Sequence, residues 1–262
     1  MDEARAKTEG EIWTRAQLQA LLARKFSPPG VARFLIESTK RSARIRRERP
    51  ELARRAYAWI ALGCVAYALR SPRYAIRWWA ATALMLDWHL GMFETEDGEP
   101  RNMSAADALT LVRAWMVPPA LERPTPLLVG LAALTDTLDG PIARATSPTR
   151  AGRDLEGLVD ACFAAAALRG AIVNDQLSGR VGAAELGRLA AGFSFALAVY
   201  FGRAEAPPDD LLHAARTTTT LRVGGLVLGT AGHRRSGDAL LLAGSGLSVA
   251  MLVRALVTQR RQ

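Results

Sequence analysis

Six apolar segments, separated by short stretches rich in turn-forming residues, constrain the fold of this chain more than any other feature. The segments cover 104–120, 125–140, 155–173, 184–202, 217–231 and 238–257. Each is long enough for a helix, and the breaks between them carry proline, glycine, serine and asparagine, as in ERPTP, ATSPTRAG and NDQLSGR. The alternation of apolar and polar residues that marks strands is weak throughout. The sequence therefore predicts an all-α fold.

The composition favours placing these helices in a membrane. Half of the 262 residues are apolar, and the stretches LRVGGLVLGTAG and LLLAGSGLSVAMLV are dense in the small residues that let membrane helices pack closely. Arginines interrupt several segments, but a charge costs about 3 kcal/mol at the centre of a membrane helix and less near its ends. We expect a polytopic membrane bundle of six core transmembrane helices, preceded by an N-terminal helical extension.

The basic residues between the segments indicate an orientation. Arg144, Arg150 and Arg153 fall in one connection, Arg203 and Arg216 in another, and TQRRQ closes the sequence. An N-terminus inside the cell places all of them on the cytoplasmic face, as positive charges prefer, although the loop HRRSGD opposes this rule. We therefore expect an integral protein of the cell membrane whose site faces the cytoplasm.

The chain divides into three parts by composition. Residues 1–55 form a basic amphipathic extension, residues 56–100 an apolar helical hairpin with a linker, and residues 101–262 the main membrane domain. Whether the hairpin crosses the membrane is left open. The basic run KRSARIRRERP is interpreted as a solvated helix face or a contact with anionic lipid. It has no interleaved aromatic residues for base stacking, so no nucleic-acid partner is expected.

Four carboxylates recur at helical spacing between the second and third segments, in TDTLDGPIARATSPTRAGRDLEGLVDACF. Asp136 and Asp139 share one helix face, and Glu156 and Asp160 share a face of the next helix. If these acids only formed salt bridges with nearby arginines, no metal would be needed to explain them. Four of them converging would repel one another unless a cation lay among them, and carboxylate oxygens suit magnesium, manganese or calcium. We therefore expect a metal site here.

These acids belong to a longer spaced motif. Its members are Asp136, Asp139, Gly140, Ala143, Arg144, Gly152, Glu156 and Asp160. The motif resembles the signature of the CDP-alcohol phosphatidyltransferases, which are six-helix membrane enzymes. The upstream ALTLVR, preceded by Asp107 where that family often has asparagine, also resembles the beginning of its first membrane helix. The similarity covers about 104–257.

The chain departs from the family pattern in two ways. Seven residues separate Arg144 from Gly152, where the family usually has eight, and the third acid is Glu156 rather than aspartate. The longer stem of Glu156 keeps a carboxylate within reach of a metal. We expect the shorter connection to be absorbed before a helix that begins at about Asp154.

The resemblance implies a reaction and a set of ligands. Such enzymes transfer a phosphatidyl or related group from a CDP-linked donor, here most simply CDP-diacylglycerol, to an alcohol, with release of CMP, in phospholipid biosynthesis. Two magnesium or manganese ions clamp the donor diphosphate. The resemblance assigns as metal ligands Asp136, Asp139, Glu156 and Asp160, of which Asp160 is also the general base. It further implies a homodimer.

Binding roles follow for other members of the motif. By the same resemblance the nucleotide is bound at Gly140, Ala143, Arg144 and Gly152, where the glycines permit close approach and the arginine pairs with a phosphate. An anionic alcohol such as a sugar phosphate or glycerol phosphate requires cations near the metal. The candidates for this acceptor site are Arg113, Arg150, Arg153 and Arg216, each of which is also an ordinary residue at the flank of a membrane helix.

Two other functions compete with this interpretation. A non-catalytic membrane scaffold, with N-terminal helices that bind lipid head groups, is expected if the altered acid and the shorter connection disable the metal site. A terpene-synthase-like helical enzyme is suggested by NDQLSGRVG, which begins like an Asn-Asp-x-x-Ser metal motif. The glutamate of that motif is replaced by Gly182, so a turn at NDQLSG is favoured.

Overall fold

The computed structural model describes residues 8–70, 74–95, 97–146, 148–201 and 209–259, without the side chains of 70, 200, 209–217, 255, 256, 258 and 259. Eleven α-helices and a short 3₁₀ turn cover most of these residues. In the described ranges no strand is present, and a single isolated bridge joins Glu94 and Pro100. The predicted all-α class is confirmed.

The helices follow one another with short connections. Their bounds are α1 Glu9–Ala23, α2 Pro28–Glu48, α3 Pro50–Arg70, α4 Ala75–Trp88, α5 Ala105–Trp115, α6 Val117–Glu122, α7 Pro126–Thr146, α8 Arg150–Val173, α9 Gly179–Tyr200, α10 Asp209–Thr230 and α11 Arg234–Gln259. The 3₁₀ turn, Leu90–Met92, follows α4.

The chain divides into two compact units. Unit 1 comprises Met1–Trp115 and Thr135–Val159, and unit 2 comprises Met116–Leu134 and Asp160–Gln262. Helices α7 and α8 therefore contribute residues to both units. The domain boundaries predicted after residues 55 and 100 fall inside unit 1, and the three-part division stays a prediction.

Unit 1 is built around one apolar core. Its least exposed large side chains are Leu52, Leu86, Leu90 and Phe93, each at most 2% exposed. The cluster also includes Ile45 on α2, Leu111 on α5 and Ala151 on α8. Helices from the predicted N-terminal extension thus share a core with the beginning of α8. Helices in proteins are stabilised mainly by packing an apolar face against other elements.

Part of the basic N-terminal run is directed inward. Arg41 is buried, its guanidinium lies 4.7 Å from the centre of the Trp13 ring, and its Nη1 contacts Glu9 Oε1 at 3.3 Å. Arg49 donates from Nη1 to the carbonyl of Phe93 at 3.0 Å. The run KRSARIRRERP is therefore only partly a solvated face, since several of its charges bind other elements of unit 1.

Asp87 on α4 joins three helices. Its carboxylate accepts hydrogen bonds from Arg46 and Ser42 on α2, both at 2.5 Å, and from the hydroxyl of Tyr57 on α3 at 2.7 Å. Partial burial alone would raise the pKa of Asp87, but the hydrogen bonds from Ser42, Arg46 and Tyr57 outweigh it and lower the pKa below its ordinary value. The ionised carboxylate is thus stabilised in the folded state.

In unit 2, α10 and α11 approach closely at glycines. A methyl group added to Gly225 would lie 2.9 Å from the carbonyl oxygen of Gly237, and one added to Gly237 would lie 2.7 Å from that of Gly225. No side chain larger than hydrogen fits between the two backbones. A methyl group on Gly225 would also lie 2.9 Å from Leu241 Cγ, so the two stretches that the sequence identified as rich in small residues do approach closely here.

Two helices of the described part are long and apolar enough to cross a membrane. They are Gly179–Val199 in α9 and Arg234–Arg254 in α11, each of 21 residues, with mean hydropathy 1.2 and 1.5. Only 17% and 22% of the residues in these windows are buried, so their apolar side chains lie mostly on the surface rather than in a protein core. The arrangement of six transmembrane helices stays a prediction.

Several helix ends differ from the prediction. The single helix predicted over 104–120 is wrong, because α5 ends at Trp115 and α6 restarts at Val117 with prolines in its first turn. The second segment does not end at residue 140, since α7 continues through Pro141 to Thr146. The third helix begins at Arg150 rather than at about Asp154.

Replacement of Asp87 by asparagine tests the junction of α2, α3 and α4. D87N is expected to lower the free energy of unfolding at pH 7 by about 1.5–3 kcal/mol, because charge-assisted hydrogen bonds are lost and Arg46 keeps its charge. The stability that Asp87 contributes is present above the unfolded pKa of about 4 and is lost as the pH falls through the lower folded pKa. The difference from the wild type should therefore shrink in acid, as measured by chemical unfolding followed by circular dichroism.

The matched control is Glu37→Gln, which removes a carboxylate from an exposed pair with Lys40 on α2. It should change the free energy of unfolding by no more than about 0.5 kcal/mol. Equal stability of D87N and E37Q at pH 7 would contradict the role of Asp87.

Candidate metal centre

Three of the four predicted acids lie together in unit 1. Asp136 and Asp139 on α7 and Glu156 on α8 each place one carboxylate oxygen within 4.8 Å of the other two. Asp139 is 4% exposed, whereas the side chain of Asp136 is 45% exposed, so the cluster has a buried side and an open side. We call these three residues the acid triad.

An arginine from α5 neutralises part of the charge of the acid triad. Arg113 is 2% exposed and directs its guanidinium between the two acids of α7. Its Nη1 lies 3.4 Å from Asp136 Oδ1, and its Nη2 donates a short hydrogen bond to Asp139 Oδ2. The Nε lies 3.4 Å from the hydroxyl of Thr135. Because a buried charge requires a partner, this contact fixes α5 against α7.

The three carboxylates lie close enough to repel one another when they are ionised. Arg113 offsets only part of this repulsion, and a cation bound among the carboxylates would remove the rest.

The donor set of the acid triad fits a divalent cation. All three donors are carboxylate oxygens, which are the ligands that magnesium and manganese prefer. They come from two helices, so their backbone positions are fixed before a cation arrives. Three such charges with one guanidinium leave a net charge of −2 when all are ionised, which attracts a divalent cation.

Asp107, whose role the sequence did not reveal, ties together the N-termini of α5 and α8. Its Oδ2 accepts hydrogen bonds from the N–H and the hydroxyl of Ser104 at 2.6 and 2.8 Å, which caps α5. Its Oδ1 accepts from the hydroxyl of Thr149 at 2.8 Å. The same hydroxyl accepts from the N–H of Gly152 at 3.0 Å and caps α8. This capping explains why α8 begins at Arg150.

The hydrogen bonds that join Asp107, Thr149 and Gly152 require a glycine at position 152. A methyl group on its Cα would lie closer to Asp107 Oδ1 than real side chains approach, and it would make a tight contact of 3.0 Å with Thr149 Oγ1. The predicted nucleotide-binding role of Gly152 is untouched by this finding. Its lack of a side chain already has a reason within the protein, however, namely the passage of the Asp107 carboxylate.

The other residues predicted to bind the nucleotide lie on α7. A methyl group on Gly140 would lie 3.4 Å from Arg144 Nη1, so the arginine lies over the glycine one turn before it. Ala143 is half-buried and Arg144 is exposed. The Arg144 guanidinium is thus on the surface of the helix that supplies two of the acids.

Of the predicted acceptor-binding arginines, Arg113 contacts the acid triad, and Arg150 and Arg153 lie at the beginning of α8. Arg150 Nη1 contacts Glu94 Oε1 and Thr8 Oγ1, both at 2.7 Å, so its charge is already neutralised within unit 1. Arg153 is exposed on α8. Arg216 lies within α10 rather than in a loop, its side chain falls outside the described residues, and Arg203 falls outside them entirely.

Asp160, the predicted general base, is half-buried on α8, four residues after Glu156. Residues four apart lie on one face of a helix, as the sequence predicted. Asp160 belongs to unit 2 and is not among the three carboxylates that converge in unit 1. Its assignment as a metal ligand and general base stays a prediction.

A second charged cluster, in unit 2, escaped the sequence analysis. Glu185 on α9 is buried, and Arg188 contacts both its oxygens at 2.8 Å, while Arg222 Nη1 lies at 3.3 Å and Ser245 donates a short hydrogen bond. The spacing of Glu185 and Arg188 was a usable signal, since residues three apart pair on a helix. The cluster joins α9, α10 and α11.

The segment NDQLSG forms the turn between α8 and α9, as predicted. Asn174 donates to the carbonyl of Glu122 at 2.8 Å, and the hydroxyl of Ser178 accepts from Val181 N–H at the beginning of α9. Both side chains are used in shaping the turn, which gives a reason for them other than metal binding.

Comparison of the chain with protein-family models, curated proteins and solved structures gives no match.

Two glycine substitutions on α8 test the tie between α5 and α8. Gly152→Ala is expected to lower the free energy of unfolding by about 1–3 kcal/mol, because the added methyl group displaces the Asp107 carboxylate. Gly157→Ala is the matched control, since nothing lies within 4 Å of its added methyl group. It should raise stability by up to about 1 kcal/mol through helix propensity. Chemical unfolding of both variants measures the difference, and equal stability would contradict the tie.

Proposed function

We propose that this chain is a membrane-associated, magnesium- or manganese-dependent transferase of the CDP-alcohol phosphatidyltransferase type. It transfers a phosphatidyl or related group from a CDP-linked donor, CDP-diacylglycerol in the simplest case, to an alcohol, and CMP leaves. The observation that carries the proposal is the convergence of Asp136, Asp139 and Glu156 within 4.8 Å, at positions of the motif that resembles this family.

The acid triad supports the first part of the reaction. Divalent cations held there would neutralise the diphosphate of the donor as the bond to CMP breaks. Asp136, Asp139 and Glu156 supply the ligands, with Asp160 as the fourth. Arg144, exposed on α7, is available to pair with a donor phosphate by charge-assisted hydrogen bonds.

A carboxylate of the chain also accepts the proton of the attacking alcohol. We assign to Asp160 the removal of the proton from the attacking hydroxyl of the alcohol, because it lies one helical turn from Glu156. The oxygen freed of its proton attacks the phosphorus of the lipid phosphate, and the bond to the CMP phosphate oxygen breaks. Among the predicted acceptor-binding arginines, Arg153 is exposed on α8, and we propose that it contacts an anionic alcohol.

A membrane location is supported by surface composition. Besides the two candidate spans, α7 exposes Leu127, Leu131, Leu134 and Leu138, which are three or four residues apart and form one stripe. An apolar stripe of this length is costly in water and favourable in lipid. We propose six transmembrane helices in the cell membrane, a cytoplasmic site and a homodimer, as the family resemblance implies.

Metal binding by the acid triad can be measured without a substrate. Mn²⁺ is expected to raise the midpoint of thermal unfolding of the purified protein in detergent, since a ligand bound to the folded state stabilises it. Glu156→Gln should abolish this increase. In the absence of metal the same variant should be more stable than the wild type, because the amide removes one of three carboxylates that repel one another.

The control for metal binding is Glu99→Gln, which alters an exposed acid of unit 1. Its stabilisation by Mn²⁺ should equal that of the wild type. An undiminished response of E156Q would show that the acid triad is not the site.

Release of CMP tests the reaction itself. Protein in detergent with CDP-diacylglycerol, Mn²⁺ and a panel of alcohols, including glycerol phosphate and sugar phosphates, should release CMP. Asp160→Asn should lower the rate by about 10²- to 10⁴-fold, the usual contribution of a general base. Glu99→Gln again serves as the control. Absence of both CMP release and nucleotide binding would favour the non-catalytic membrane scaffold instead.

A further inference from the structure

The Arg113 guanidinium supplies positive charge to two carboxylates that would otherwise be neutralised by a bound cation. Two of its nitrogens contact different carboxylates, Nη1 that of Asp136 and Nη2 that of Asp139. We propose that Arg113 is a resident counter-cation of the acid triad, which competes with divalent cations for these two carboxylates and so limits their affinity. The proposal rests on the proposed function, because it takes the acid triad as the cation site.

The forked contact places a positive charge between two acids of the triad. Arg113 lies 3.4 Å from Asp136 and closer still to Asp139. Groups that hydrogen-bond to a metal ligand orient it, and a group that is itself positively charged also takes up part of the ligand's charge. A divalent cation bound by the same two carboxylates has to share their charge with the guanidinium.

Burial makes this competition permanent. Arg113 is 2% exposed, and a guanidinium does not lose its proton in a protein. Its charge therefore cannot be removed by deprotonation, and water does not screen it as it would screen a surface arginine. A cation that enters the acid triad meets a fixed positive charge a few ångströms away, and their repulsion weakens binding.

The charge count gives the direction of the effect. Three ionised carboxylates and Arg113 sum to −2, whereas the same carboxylates with a neutral residue at position 113 sum to −3. Removing the positive charge therefore strengthens the attraction for a divalent cation. It also leaves the carboxylates without a counter-charge when no metal is present, which destabilises the empty protein.

The test compares Arg113→Gln with Arg113→Lys. Both variants lose the planar fork, but only lysine keeps the positive charge, so their difference isolates charge from packing. Titration of the purified proteins with Mn²⁺ by isothermal calorimetry should show at least about tenfold tighter binding to R113Q than to R113K, as expected for removal of a nearby positive charge. Without metal, R113Q should unfold at a lower temperature than R113K, and Mn²⁺ should raise its midpoint more.

The outcomes separate this proposal from the proposed function. If the wild type binds Mn²⁺ but R113Q binds it no more tightly than R113K, the counter-cation role is overturned and the metal site stands. If the folded wild type and both variants bind no Mn²⁺, the metal site and the counter-cation role both fail. A purely structural role for Arg113 would lower stability without any gain in affinity.

A folding defect of R113Q would not end the test. If R113Q is recovered folded only when Mn²⁺ is present during purification, the metal has replaced the missing counter-charge, which supports the proposal. If it does not fold with or without Mn²⁺, the wild type is titrated with diamagnetic Mg²⁺ and the ¹⁵N resonance of Arg113 Nε is followed. A shift as Asp139 is taken by the cation is expected, and an unchanged resonance at saturation overturns the proposal.

Discussion

The hydrogen bond between the Thr149 hydroxyl and Asp107 Oδ1 sets the geometry on which the candidate site depends. It joins the N-termini of α5 and α8 at one carboxylate. Along α5, Arg113 follows Asp107 by six residues, or about 9 Å, and along α8, Glu156 follows Thr149 by seven residues, or about 10.5 Å. Arg113 and Glu156 are thus at similar distances along their helices from the hydrogen bond between Thr149 and Asp107. Helix capping usually involves residues at the end of one helix. Here it aligns two helices that contribute to one charged cluster.

Several charged side chains of this protein are buried and paired inside the fold. The basic N-terminal run, Arg113 and the Glu185 cluster all use arginines to bind carboxylates or carbonyls of other helices. Arginine suits this purpose because it keeps its proton and presents several donors in a fixed plane. The acid triad differs from these pairs, since it retains more negative than positive charge. That surplus is the physical basis for expecting a cation there and nowhere else among the described clusters.

The sequence predicted what depends on local pattern. Turn formers separated the helices, and the spacing of Asp136 and Asp139 predicted that they share one helix face. The structure brings these two together with Glu156 of the next helix. The sequence did not predict that α7 continues through Pro141, because proline removes one backbone hydrogen bond but its effect on helix ends depends on packing. Nor could it predict the partner of Arg113, since an arginine that pairs 26 residues away looks the same in sequence as one that flanks a membrane helix.

The contact of Thr8 with both Glu94 and Arg150 bears on how the chain can be shortened. Thr8 is buried, its hydroxyl donates to Glu94 Oε1 at 2.6 Å, and it accepts from Arg150 Nη1 at 2.7 Å. A truncation that removes Thr8 would expose the ion pair between Glu94 and Arg150, the first residue of α8. Thr8 therefore stabilises unit 1 through these two contacts, and shortened versions of the protein should retain it.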